Sequence, residues 1–347
     1  MARFVRTITL LLMLGAVAAW AGLSDTIVPA DDAYHLKYWP NTPAVAAYTE
    51  WWYFNLVDTT QNVKAVLVYF ITNPDQVSGA PAGGNMVAIA YTPAGVTTEV
   101  DVYPVSAFSA AYNVADVQLG GNAVQVTGDN TYLLTGASQD GAIAWDLTFN
   151  REAQSFQGLD LAALGKQPWE RMSWLVYMPR AGVTGQLTVA GTAYAVSGSG
   201  YHDHNWGEWI QSDVLWNWAQ YSQSGMWFDI YDFIGEPNGA AHVAVNGTTF
   251  EFTKSQYQLV HTKWAYDSVN HVYYPIQTMF KADNGTQQLE VVMNVSQTVP
   301  LSNGFPYPIP EYIIYEQTTT YLGQVVANGT TVTFSGEGFK EYTAKRP

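Results

Sequence analysis

The sequence predicts a mostly β protein, a barrel or sandwich, built as two units in tandem. Three observations carry this expectation. Short segments rich in β-branched and aromatic residues recur along the chain with turn residues between them. Helical periodicity is weak throughout. An aromatic hairpin also occurs twice. The first runs Glu50-Trp51-Trp52-Tyr53-Phe54-Asn55, turns at 58–62 and returns at 66–70. The second runs from Trp216 to Tyr221, turns at 222–225 and returns from Trp227 to Phe233. A length of 347 residues suits one large domain or two modest ones. A boundary near Gln211 follows from the repeat, giving units 22–210 and 211–347 behind a leader at 1–21.

The leader reads as a secretory signal. Arg3 and Arg6 precede an apolar run at 7–19, and Ala19-Trp20-Ala21 fits a small-x-small cleavage site. The run is too short for a good membrane span. The expected location is therefore secreted or in a secretory lumen, periplasmic in a bacterium, with no stable membrane span after cleavage. An uncleaved anchor is the competing reading.

Beyond the leader, 63–72 reads as a strand and 73–84, rich in Pro, Gly and Asn, as a long loop or lid. The best helix candidate is short, at 159–165. Residues 186–196 and 330–335 read as further strands. Asn246, Asn284, Asn294 and Asn328 each open an N-glycosylation sequon. They become glycan candidates if the chain crosses an endoplasmic reticulum.

Composition narrows the function. Thirteen Trp and twenty-three Tyr exceed what packing needs, so part of this aromatic surface is expected to line a cavity. Net charge is −15 with no basic run, which argues against nucleic acid and anionic membrane as partners. There is no cysteine, so stability rests on the core and thiol chemistry is excluded. No Gly-x-Ser-x-Gly elbow, P-loop or dinucleotide-binding glycine motif is present. No cofactor is expected, and oligomeric state is left open.

The chemistry concentrates in Gly198-Ser199-Gly200-Tyr201-His202-Asp203-His204-Asn205-Trp206-Gly207. On a strand, Tyr201, Asp203 and Asn205 point one way, and His202, His204 and Trp206 the other. Asp203 is the catalytic candidate, with Asn205 and Tyr201 beside it. In an apolar pocket its carboxyl stays protonated and can give a proton to an alkene or a hydrogen bond to a carbonyl. The bland alternative is a hydrogen-bond hub pinning the strand. A bulge after Gly200 would invert the two faces.

His202 and His204 share a face that could hold a metal, but no spacing selects a third ligand among His242, His261, His271 and a distant carboxylate. A polar network is expected for the pair, and no metal. Glu50 lies on the face of Trp52 and Phe54. It is either a pocket residue or half of an ion pair with Arg171 or Arg180. Asp229 is a second buried-carboxylate candidate. Trp52, Trp216, Trp218 and Trp227 are candidates for the pocket wall, which would suit a long apolar ligand.

The Glu50–Phe54 pentapeptide, Met178-Pro179-Arg180 and the 198–207 run, in that order and spacing, resemble the AttH-like, two-domain lipocalin-type family. That family includes bacterial carotenoid 1,2-hydratases and fungal Diels–Alderases. The resemblance implies an all-β fold of two tandem lipocalin-like antiparallel β-barrels. It also implies cofactor-free chemistry on an apolar polyene, with Asp203 as the motif aspartate and Glu50 as the aromatic-strand acid. Three functions compete: a cyclase or isomerase acting as an entropy trap, a hydratase, and a carrier that does no chemistry. The secretory leader departs from cytosolic carotenoid metabolism and weighs against a carotenoid substrate. Fold alone does not choose among the three.

Overall fold

The computed structural model describes residues 27–39, 45–223, 225–301 and 312–347; the expected leader at 1–21 lies outside them. Among the described residues there are short 3₁₀ turns and no α-helix. The first twelve strands are β1 Tyr48–Asp58, β2 Val63–Thr72, β3 Gly83–Thr92, β4 Gly95–Tyr103, β5 Phe108–Ala110, β6 Val117–Leu119, β7 Asn122–Gly128, β8 Thr131–Ala137, β9 Ile143–Arg151, β10 Phe156–Ala163, β11 Arg171–Val189 and β12 Thr192–Glu208. They form one antiparallel sheet in the order β4-β3-β2-β1-β12-β11-β9-β8-β7-β6-β5, with β10 added on β11.

The other nine are β13 Trp216–Gln223, β14 Met226–Phe233, β15 Gly239–Val245, β16 Thr248–Thr253, β17 Tyr257–Asp267, β18 Val272–Asp283, β19 Gln288–Leu301, β20 Tyr312–Ala327 and β21 Thr330–Lys345. They form a second sheet in the order β16-β15-β14-β13-β21-β20-β19-β18-β17. The chain passes from one sheet to the other between Glu208 and Trp216. The fold is all-β, two tandem lipocalin-like barrels, as the sequence predicts.

Both barrels follow one plan. Each opens with a four-strand meander and returns its last strand to pair with its first. The repeated aromatic hairpin is β1–β2 and β13–β14, the opening of each meander. Register makes the correspondence residue by residue. Tyr53 of β1 faces Asp203 of β12, and Trp218 of β13 faces Glu341 of β21. So Gly198-Ser199-Gly200-Tyr201-His202-Asp203 has a counterpart in Gly336-Glu337-Gly338-Phe339-Lys340-Glu341.

The second glycine of each run is set by a close approach. A Cβ on Gly200 would lie 2.5 Å from the Val183 side chain and 2.9 Å from the Asn55 carbonyl oxygen. One on Gly338 would lie 2.3 Å from the Gln220 carbonyl oxygen. Asn55 and Gln220 hold equivalent positions, and their side-chain amides meet at 3.5 Å where the barrels touch.

β1 is apolar on both faces because both are covered. Trp52, Phe54 and Leu56 point into the first barrel with Leu67, Tyr69, Phe149 and Trp206. Tyr53 and Val57 point out, against Trp218, Tyr231 and Phe339 of the second barrel. The second barrel has its own interior around Phe228, Phe280, Tyr321 and Phe334.

One local expectation is corrected, and the loop expected at 73–84 is a loop as far as residue 82. Residues 159–165 are not helical, because 156–163 forms β10 and takes its hydrogen bonds from β11. Two register shifts and a positive φ at Leu161 make that strand irregular, which blurs its period in the sequence. The 73–84 segment folds on itself around buried Asn73. The Asn73 side chain accepts from the Val77 amide at 3.0 Å and donates to the Ala80 carbonyl at 3.0 Å.

Candidate functional site

The motif strand β12 runs without a bulge opposite β1, from Tyr201 through Trp206, so alternation applies as written. Its two faces lead to two different polar sites.

The inner face carries His202, His204 and Trp206 into the first barrel. A segment from the N-terminal side, 27–39, brings Asp32 and His35 to meet them. His202 Nε2 lies 2.8 Å from Asp32 Oδ2, which also accepts from the Tyr132 hydroxyl at 2.7 Å. His202 Nδ1 lies 2.9 Å from the Tyr53 carbonyl oxygen. His204 Nε2 lies 2.8 Å from Glu50 Oε1. Its Nδ1 is 3.2 Å from Asp32 Oδ1, an ion-pair distance whose angle falls off the hydrogen-bond line. Glu50 also accepts from the Tyr48 hydroxyl at 2.5 Å and the His35 amide at 3.0 Å. His202, His204, Asp32 and Glu50 are all fully buried.

Burial alone would raise the Asp32 and Glu50 carboxyls. The imidazoles of His202 and His204 reverse this at Asp32, and those of His204 and His35 do so at Glu50. Both carboxyls are held below the usual range. Burial would likewise lower His204, but its bonds to Asp32 and Glu50 carry it upward. His35 goes down, because burial dominates there. This is a charge-compensated network, the arrangement in which buried charges are tolerated.

The same face contains a set of possible metal ligands. Donor atoms of His35, Glu50 and His204 lie within 4.8 Å of one another. This set does not complete the His202/His204 pair: His202 is not in it, nor are His242, His261 and His271, and His35 and Glu50 join His204 instead. An ion there would have to displace His204 from Glu50, whose oxygens are also contacted by the His35 amide, His35 Nδ1 and the Tyr48 hydroxyl.

The outer face carries Tyr201, Asp203 and Asn205 to a cleft between the barrels. Its first lobe is lined by Trp51, Tyr53, Trp174, Trp216, Trp218 and Tyr231, among others, with Asp203, Asn205 and Glu341 as its acidic and amide groups. Asp203 Oδ2 accepts from the Tyr201 hydroxyl at 2.8 Å and Oδ1 from the Asn205 amide at 3.2 Å. Burial pushes the Asp203 carboxyl up to about 7, against the lowering effect of Tyr201 and Trp174, and Glu341 adds to the rise.

The second lobe shares Trp51, Tyr53, Trp216 and Glu341 with the first and adds Phe70, Trp209, Tyr312, Ile314 and Glu316. Tyr53 donates to Glu316 at 3.2 Å, and the Trp216 indole donates to Glu341 at 2.7 Å. Glu316 of β20 and Glu341 of β21 are cross-strand partners and line the same lobe. Burial raises both carboxyls, and the charge of Glu341 raises Glu316 further. Among the described residues, none of Asp203, Asp229, Glu316 and Glu341 has a Lys, Arg or His nitrogen within 4.0 Å.

The structure brings Tyr201, Asp203, Asn205, Trp216 and Trp218 together as the sequence groups them. It removes four others from the wall. Glu50 and Trp52 are on the inner face of β1, because alternation gives the cleft Trp51 and Tyr53 instead. Trp52 stacks on His204 with ring centroids 4.4 Å apart. Glu50 pairs with His204 rather than Arg171 or Arg180, and Arg180 pairs with Glu152. Trp227 is packed flat on Phe156 in the inter-barrel core. Asp229 is fully buried behind the wall, taking a 3.4 Å hydrogen bond from the Trp218 indole. Burial first, then Asp203, raises it.

Of the sequon residues, Asn246 and Asn328 sit exposed in turns. Asn284 is half-buried, its side chain capping the next turn. Asn294 is half-buried in β19, accepting from Gln277 at 2.7 Å. The residues missed by sequence reasoning are Asp32, His35, Glu316 and Glu341. A usable signal existed for the last: the Gly-x-Gly-aromatic-base-acid run at 336–341 echoes 198–203.

No protein-family model and no curated protein matches this chain. Among solved structures, it is similar to a Nitrosomonas europaea protein that carries the provisional name AttH. The TM-score is 0.68 over 90% of this chain and 94% of that one, at 15% identity. A porin-like protein from Bacteroides uniformis aligns over 88% of this chain and 99% of that one, at 7% identity and a TM-score of 0.16. The transferrin-binding protein B of Haemophilus parasuis aligns over 88% and 77%, at 9% identity and a TM-score of 0.11. Those two scores carry no argument. The first likeness speaks for the fold alone, and the chain shares the two-barrel, all-β architecture of that structure.

Proposed function

We propose that this protein is an AttH-like, cofactor-free cyclase or isomerase acting on an apolar polyene in the cleft between its barrels. One observation carries the reading. Asp203 is a buried carboxyl set in an aromatic wall, with no Lys, Arg or His nitrogen within 4.0 Å among the described residues, and its environment favours the protonated form near neutrality. Such a group donates a hydrogen bond or a proton to a neutral ligand, as a paired carboxylate cannot. The flat aromatic walls favour an extended conjugated molecule by area burial and stacking. Holding that molecule folded supplies the orientation part of the barrier. The leader supports a secreted or luminal site of action.

The test uses linear polyenes with and without a conjugated carbonyl, with products read by mass spectrometry. Cyclisation or isomerisation leaves the mass unchanged, and hydration adds one water. In the first case Asp203→Asn slows turnover by about 10²–10³-fold, the cost of one positioned donor, while binding persists. Full activity of that variant removes the acid role. Tight binding with no product makes the protein a carrier.

A further inference from the structure

The inter-barrel cleft has two lobes because the barrels meet about a near-twofold arrangement. Met172 and Trp174 of β11 with Tyr231 and Phe233 of β14 wall the first lobe. By strand order and register their counterparts are Tyr312 and Ile314 of β20 with Phe70 and Val68 of β2, and those four wall the second. Trp51, Tyr53 and Trp216 run along both. A ligand stacked on these three rings therefore spans two chemically distinct ends.

The ends differ in their carboxyls. The first has Asp203, held by Tyr201 and Asn205, and shares Glu341 with the second. The second has two, Glu316 and Glu341, at facing positions of neighbouring strands. Buried carboxyls on facing cross-strand positions resist ionising together, so the pair holds at least one proton. A pair holding one proton can still accept a second. Glu341 also lines the Asp203 lobe, so the two centres communicate through the cleft itself.

We propose that the Glu316–Glu341 pair is a second acid–base centre on the same ligand, taking a proton from one end of an elongated polyene while Asp203 gives one to the other. The proposal rests on the polyene reading of the cleft. The Asp203 O–H proton goes to an alkene carbon in the first lobe, and the π electrons of that alkene form the new C–H bond. The positive charge spreads along the conjugated chain, against the faces of Trp51, Tyr53 and Trp216. At the far end a C–H bond breaks, its proton goes to the glutamate pair, and its electrons become the new π bond. The unsaturation has moved and no atom is gained or lost. The pair then returns the proton to Asp203 by way of Glu341, and no other reactant is needed. The ligand class is thus a linear conjugated molecule with an allylic C–H at the end opposite its protonated alkene.

The test compares Glu316→Gln, Glu341→Gln and the double variant with Asp203→Asn. Gln keeps the bonds from Tyr53 and Trp216, and circular dichroism checks the fold. The first readout is infrared difference spectroscopy on adding retinol. Wild type is expected to show two perturbed protonated-carboxyl bands. Asp203→Asn removes one and the double glutamine variant the other. The second readout is turnover of a linear polyene in D₂O. Wild type is expected to give an isomer with deuterium at the protonated end on the first turnover, diluted in later turnovers by the proton returned from the substrate's own C–H. The double variant drops isomer yield by about 10²-fold, the low end for losing a general base. Glu341→Asp, which keeps a carboxyl, restores part of it. A single retinol-sensitive band, or an unchanged isomer yield in the double variant while Asp203→Asn is inactive, overturns the second centre alone. Retinol that does not bind at all sinks the polyene reading, and this one with it.

Discussion

Asp203 and Glu341 hold the same position in the two barrels, each three residues after a glycine that packs against backbone, and both face one cleft. Each lies opposite an aromatic residue of its barrel's first strand, Tyr53 for Asp203 and Trp218 for Glu341. The residue before each acid points into its own barrel. There the likeness ends: His202 Nε2 lies 2.8 Å from an Asp32 carboxylate oxygen, whereas Lys340, among the described residues, reaches the Gln317 amide oxygen at 3.5 Å and the Tyr342 ring at 5.7 Å. The consequences differ in sign from site to site.

Asp203→Asn is expected to stabilise the protein at neutral and alkaline pH. The folded carboxyl sits at about 7 against 3.8 unfolded, so the native state holds the extra proton between these values. Wild-type stability therefore falls as pH rises from about 4 to about 7 and is level above. The variant lacks this loss, and its advantage grows to as much as ~4 kcal/mol above pH 7. Urea unfolding at pH 4 and pH 8 measures it. An equal difference at both pH values refutes a raised carboxyl.

Asp32→Asn is expected to cost about 3–5 kcal/mol at pH 7, the usual loss when one member of a buried charge network is removed. Wild-type stability from Asp32 is present above about pH 4 and lost as acid titrates the depressed carboxyl, so the variant is also less acid-sensitive. Unfolding free energies at pH 7 and pH 3 check both parts. A neutral effect at pH 7 means the inner network is not holding the N-terminal segment in place.

Lys340→Met is expected to gain stability below about pH 7. Burial pushes the lysine down to about 7 from 10.5, with Glu341 opposing. Stability is lost in wild type as pH falls through that window and stays low beneath it. The gain reaches as much as ~5 kcal/mol, less about 1 kcal/mol for the Gln317 oxygen left without its donor. Thermal melts at pH 6 and pH 10 separate this from simple packing, which would shift both alike.

Trp52→Ala and Trp218→Ala are expected to part ways. Trp52 is fully buried, stacked on His204 and bonded to the Asp32 carbonyl at 3.0 Å. Its loss costs about 3–5 kcal/mol of stability. Trp218 is on the cleft wall, and its loss weakens retinol binding by about tenfold or more. Fluorescence titration and denaturant curves on both variants decide this. Weaker binding in folded Trp52→Ala with no change in Trp218→Ala reverses the assignment of faces.

What the sequence by itself determined is local and periodic. Alternation along 201–206 assigned Tyr201, Asp203 and Asn205 to one face and both histidines to the other, because side-chain direction on a regular strand has no other freedom. The repeated aromatic hairpin announced two barrels, because each opens with the same strand pair. What only the tertiary structure decided is which face meets what. Glu50 and Trp52 share a strand with Trp51 and Tyr53, and nothing local says which pair turns inward when both faces are covered. Asp32 is 170 residues from His202, and Glu316 is 263 from Tyr53. Contacts at that separation are fixed by barrel closure and by the docking of one barrel on the other, and no pattern along the chain encodes them.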